Sequence, residues 1–171
     1  MTDSAAAREP FEPIPFLDVP FGPVTPEQIS GLDGLAQLEG ILRGDLPAPT
    51  MARTMRQWIA SVEKGYAEFR GEPSEDYLNP MGLVHGGWVM ALLDTVLGCA
   101  VHTTLDATQT YVSTGTEVKF IKPILLSTGQ VRAVGRAESR GAQMATASAH
   151  VHDTKGRLLA TGTTSCFIRK I

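Results

Sequence analysis

The segment from Asn79 to Thr104, NPMGLVHGGWVMALLDTVLGCAVHTT, constrains the fold more than any other part of the chain. From Gly86 to Val101 it holds a single charged residue, Asp94. Trp88, Leu92 and Val96, flanked by Val89, Leu93 and Leu97, make one apolar side at helical spacing; Gly87, Ala91, Thr95 and Gly98 make a side of small residues. This pattern predicts a central helix that other backbone approaches closely, as when a sheet wraps around it. A buried carboxylate with no partner is costly or is pushed to neutralise. Asp94 therefore has either a partner outside this segment or a chemical task.

The apolar run is too short for a membrane span, which needs roughly 20 such residues, so no membrane partner is expected. The chain has 171 residues, enough for one domain with a sizeable core. The start, MTDSAAAREP, lacks the basic and apolar regions of a secretory leader. The two cysteines, Cys99 and Cys166, sit in apolar surroundings and read as buried, reduced thiols. A cytoplasmic protein is the resulting expectation. Charge is divided unevenly: residues 1–50 hold eight acids against Arg8 and Arg43, whereas residues 51–171 hold ten acids against thirteen Lys and Arg. That mildly basic body suits a small anionic ligand and is far too weakly charged to argue for nucleic acid.

Eight of the eleven prolines fall in residues 1–50. We read this part as an acidic, proline-rich arm lying on the body, with one short helix in TPEQISGLDGLAQLEGILRG capped by Thr25 with Pro26 at its first position. No internal repeat is expected. Residues 51–171 form the main domain. RQWIASVEKGYAEFRG reads as two strands meeting near Lys64-Gly65, and four more strands follow the long helix. Strands in runs with one long helix across them define an α+β fold.

Gly86 and Gly87 open the helix, where backbone N–H groups lack intrahelical partners and can receive a ligand oxygen or an oxyanion. Asp94 is the matching nucleophile or general base. It lies eight residues on, roughly 12 Å along the axis at ~1.5 Å per residue, and a reacting carbon needs both within about 3 Å. One helix cannot supply both; two antiparallel copies about a two-fold axis can, so this chemistry requires a dimer. His150 and His152 share a strand face without a third ligand at a supporting spacing; they read as solvated, and no metal site is expected. No nucleophile elbow, zinc-protease motif or P-loop occurs.

NPMGLVHGGWVMALLD resembles the N-x-x-G-x-x-H-G-G…D signature of hot-dog-fold acyl-CoA thioesterases of the phenylacetate-pathway (PaaI) type. VSTGTEVKFIKPILLSTGQV resembles their central strand, which ends in an aromatic, a basic residue and proline. The resemblance spans roughly Pro47 to Arg169 and implies a long central helix wrapped by an antiparallel sheet, in dimers that commonly pair into tetramers. It implies hydrolysis of acyl- or aryl-CoA with no cofactor, coenzyme A being part of the substrate. In that frame Gly86 gives the oxyanion-hole N–H, His85 shapes the turn, and Asn79 positions the thioester or water. Asp94 acts from the facing subunit and Ser113 assists it, while Gly87 and Trp88 lie along the substrate. Where relatives carry a basic residue after the turn glycine, this chain has Ala142 and Gln143 after Gly141, which leaves Arg140 as the candidate for the coenzyme A phosphates. A hot-dog dehydratase or hydratase, and a non-catalytic acyl-CoA-binding protein, are the alternatives. The spacing from His-Gly-Gly to the acid argues against the first and the intact Asp94 against the second.

Overall fold

The structure, a computed structural model, describes residues 9–171. Arg8 and most of the stretch read for a leader lie outside them. Besides two short 3-10 turns (Glu75–Tyr77 and Leu126–Thr128), ten helices and strands follow in order among these residues: α1 (Pro26–Ile29), α2 (Gly34–Arg43), α3 (Thr50–Met55), β1 (Gln57–Glu63), β2 (Tyr66–Gly71), α4 (Gly86–His102), β3 (Gln109–Phe120), β4 (Val131–Arg140), β5 (Met144–Asp153) and β6 (Leu158–Lys170). The strands make one antiparallel sheet in the order β1-β2-β4-β5-β6-β3. The body thus has the expected α+β arrangement, with α4 lying in the curve of the sheet.

Gly65, at φ 77°, closes the β1–β2 hairpin at the expected turn, in a conformation that side-chain-bearing residues avoid. Along β2 and β4 residues alternate between the two sheet faces. Ala67, Phe69, Val131 and Ala133 face α4 and are buried, as are Leu92, Leu93, Val96 and Leu97 of the helix. Each such aliphatic side chain contributes about 1.5–3 kcal/mol by leaving water. The wrap is tight where small residues allow it: a Cβ built on Gly135 of β4 would stand 2.6 Å from the carbonyl oxygen of Val96.

The single helix expected in the arm is two. Thr25 and Gln28 form a reciprocal capping box on α1, and Asp33 caps α2. Gly31, at φ 75°, breaks the path between them. The sequence pattern does not announce α3. Contrary to the expectation of no internal repeat, Pro-Phe recurs every five residues at Phe11, Phe16 and Phe21, and each ring meets an arginine. Phe11 lies between Arg70 and Arg132, with guanidinium carbons 4.3 and 4.8 Å from its centroid. Phe16 lies 4.3 Å below Arg56, and Phe21 5.6 Å from Arg53. Arg70 and Arg132 point away from α4, so the arm starts on the outer sheet face. It then reaches the edge strand β1, where Phe16 meets Trp58 edge-on, and Leu17 packs against the core. This cover also corrects the reading of His152. It pairs with Arg132 in register under the arm and is only 1% exposed, whereas His150 is exposed as expected. Among the described residues no group of side chains could hold a metal ion, and no helix is long and apolar enough to cross a membrane.

Candidate functional site

The sheet wraps α4 incompletely. One strip of the helix, carrying Gly87, Met90 and Asp94, stays exposed, and this resolves the puzzle of the lone carboxylate: Asp94 is not in the core of the subunit. It has a partner on β3, where the Thr116 hydroxyl donates to Asp94 Oδ1 at 3.1 Å. Thr116 is in turn 3.2 Å from the Thr164 hydroxyl, which donates to the Gly115 carbonyl. The carboxylate is thereby aimed from two sides, by the helix that carries it and by a strand hydroxyl that is itself held.

β3 runs alongside α4 in the opposite direction. The Tyr111 hydroxyl covers Gly98, Thr116 meets Asp94, and the Phe120 ring covers Gly86, where a Cβ would be 3.1 Å from it. A register shift between Ser113 and Gly115 makes this possible, since the bulge turns Thr116, Val118 and Phe120 toward the helix. Ser113 is placed opposite Cys166 in register, and it is Thr116, not Ser113, whose hydroxyl bonds Asp94. Thr116 does not stand out in the sequence, and only the bulge distinguishes it from its neighbours.

At the other end of the site, His85 is the N-cap of α4, and its Nδ1 accepts the Gly87 N–H at 2.9 Å. In the neutral ring the proton then sits on Nε2, which faces outward. The same bond occupies one of the two donors expected to face a ligand, leaving the Gly86 N–H as the open one. The turn before it is organised by Asn79, whose Oδ1 accepts the N–H groups of Met81 and Leu83 at 2.9 and 3.1 Å. Asn79 and Gly86 share a groove of about 380 Å³ with Phe120 and Lys122. Lys122 is a basic group at the mouth of this groove, and its only signal in the sequence is the strand-ending FIKP. Arg140 lies at the exposed end of β4, bonded to Gln109 at 2.7 Å. Trp88 is placed elsewhere. It is 2% exposed, its indole N–H donates to the Met55 carbonyl at 2.8 Å, and it stacks on Tyr77, so it locks α3 to α4 instead of lining the groove.

Near Asp94 the thiol of Cys99 is pushed from 9.0 up to about 12, by burial first and by the negative charge of Asp94 second. Burial likewise raises the Tyr111 hydroxyl. Neither is a nucleophile at neutral pH, and both cysteines are free thiols. Asp94 is the one charged group on the open strip of the helix.

The fold is the hot-dog fold of thioester hydrolases. Residues 81–160, from the turn before α4 into β6, match the thioesterase superfamily, and the solved structures that resemble the chain include PaaI-like proteins. A phenylacetic acid degradation-related protein of Ralstonia eutropha JMP134 is 29% identical, over 77% of this chain and 98% of that one, with a TM-score of 0.70. The PaaI protein of the Escherichia coli phenylacetic acid degradation operon is 17% identical, over 83% and 96% of the two chains, at 0.68. A Streptococcus mutans UA159 protein solved bound to acetyl-CoA is 23% identical, over 67% and 89%, at 0.61. No curated protein matches the chain significantly.

Proposed function

We propose that this protein is a cytoplasmic homodimer that hydrolyses acyl- or aryl-CoA thioesters to the free acid and coenzyme A, with no other cofactor. The observation that carries this reading is the division of labour along α4. One end offers an unpaired Gly86 N–H, and an exposed Asp94 oriented by Thr116 stands eight residues away. The ~12 Å between them is too far for one reacting carbon and suits a second subunit whose α4 runs antiparallel. β3 supports the pairing. It is a twelve-residue strand at the sheet edge, and Val112, Phe120 and Ile121 on or beside it are about half exposed. An exposed apolar edge of that length calls for a covering strand.

In the dimer the thioester carbonyl oxygen accepts the Gly86 N–H of one subunit, helped by the helix dipole. Asp94 of the other takes a proton from water as the water oxygen bonds to the carbonyl carbon. The tetrahedral intermediate collapses, the carbon–sulfur bond breaks, and the proton passes to the departing thiolate. Direct attack by the carboxylate gives a mixed anhydride that water then cleaves; oxygen-isotope transfer into Asp94 in a single turnover distinguishes the two. The acetyl-CoA bound to the Streptococcus relative supports coenzyme A thioesters as the substrate class.

The experiment is thiol release from a panel of CoA thioesters, with wild type and Asp94→Asn both sized in solution. Loss of turnover in a variant that remains dimeric is the expected result. Undiminished turnover in the variant, or a monomeric active enzyme, refutes the mechanism. Binding of thioesters without release by the wild type makes the protein a binding module.

A further inference from the structure

A second cavity, separate from the groove at Gly86, lies on the flank of α4 next to the strip that carries Asp94. It is partly open to the surface and has a volume of about 150 Å³. Thr95, the residue after Asp94, and Cys99, one turn later, line it from the helix, and Trp58 and Ile59 line it from β1. The opposite wall comes from the N-terminal region: Leu17 of the arm, Ile41 of α2 and Ala52 of α3. Its surface is almost entirely carbon. Gln57, the main polar side chain at its rim, spends its amide N–H on the Trp88 carbonyl at 2.7 Å. The segments that make the outer wall precede residue 81, outside the part of the chain that matches the superfamily.

Protein interiors rarely hold voids larger than a water molecule, because a void forfeits dispersion contacts on every side. An apolar cavity of about this volume stays dry and holds a benzene-sized molecule. Here the void adjoins the residue after the proposed catalytic carboxylate. Resting on the thioesterase reading above, we propose that this cavity receives the apolar acyl tail of the thioester, and that the arm, by walling it, sets which acyl groups are hydrolysed. The class that fits is a single aryl ring or an unbranched chain of about six carbons. Acetyl leaves the cavity empty, and a chain of twelve carbons overfills it.

The test fills the cavity from its outer wall. For Ala52→Phe we compare kcat/KM for acetyl-, hexanoyl-, phenylacetyl- and dodecanoyl-CoA, and the affinities of the inert thioethers S-methyl- and S-hexyl-coenzyme A. A hydrophobic pocket distinguishes substrates by about 10- to 200-fold per methylene-sized misfit. The hexanoyl-to-acetyl and phenylacetyl-to-acetyl ratios should therefore fall at least tenfold, and the S-hexyl preference with them. The reverse variant, Ile41→Ala, should move the optimum toward longer chains. If wild type releases thiol but neither variant changes the ratios, the cavity is only a packing void and the inference falls while the thioesterase reading stands. A raised melting temperature of Ala52→Phe with unchanged ratios likewise makes it a packing void. If wild type releases no thiol but Ala52→Phe still loses the S-hexyl preference, the pocket stands and the hydrolytic reading falls.

Discussion

Replacing Gly135 with alanine tests how closely the sheet grips the helix that carries the site. The new Cβ would lie 2.6 Å from the Val96 carbonyl oxygen and 3.0 Å from its carbon. Both atoms are helix backbone and cannot rotate away. Reaching an ordinary contact of 3.4 Å requires β4 and α4 to part by about 0.8 Å, the difference between those distances. That loosens the buried neighbours Val131 and Ala133 against Val96 and Leu97. Overpacking of this kind costs about 1–3 kcal/mol, and a rigid obstacle puts it near the top of that range. Stiffening of the unfolded chain by alanine returns about 0.4–1 kcal/mol. The net loss of about 2–2.6 kcal/mol lowers the melting temperature by about 4–10 °C in a chain of this size. Gly162 of β6 is the control. It faces the same helix, also has no positive φ, and its Cβ would meet nothing closer than 3.3 Å. Gly162→Ala should stay within about 1 kcal/mol of wild type. Calorimetry and urea melts measure both. If Gly162→Ala costs as much as Gly135→Ala, close helix–sheet approach is not what these glycines serve.

Two further outcomes are expected. Thr116→Val should lower kcat about 10- to 100-fold with little change in KM, since it removes the hydroxyl that aims Asp94; Ser113→Ala should do markedly less, and equal effects in steady-state assays would reverse the assignment. Stability should fall as pH rises above 9. Cys99 ionises near 9.0 when unfolded but near 12 when folded, so its contribution is complete below pH 9 and is lost on the way to 12, at up to about 1.4 kcal/mol per pH unit. Urea melts of Cys99→Ala between pH 8 and 11 should show a shallower decline than wild type, and parallel declines would remove the thiol as a cause.

The order of the long helix and the strands of the body was legible because each carried its own signal. Lys64-Gly65 marked a hairpin, the Gly86–Val101 run had helical spacing, and the later strands were separated by turn residues. Asp94 and Gly86 were legible because one charge and a glycine pair interrupt an apolar pattern. What escaped depended on geometry with no local signature. The bulge after Ser113 decides which of several hydroxyls on β3 reaches the carboxylate. Trp88 sits next to the turn in sequence, yet its helical angle sends it inward beneath Tyr77. The division of the arm's helix turned on Gly31 alone, visible as a weakness but not as a break. The Pro-Phe spacing gained meaning only once Arg53, Arg56, Arg70 and Arg132, distant in sequence, were seen to receive the rings.

The sheet's two margins are unequal in what they allow. β1 packs against α2 and α3 with the arm alongside, whereas β3 stands bare. A sheet with two open margins can add strands without limit, and its copies grow into a ribbon. With one margin covered, the strand pairing proposed above would have a valency of one: a second copy would satisfy it, and growth in that direction would end at two. Removing the arm and its helices would open the second margin, so the same segment that walls the small cavity also acts as a chain terminator.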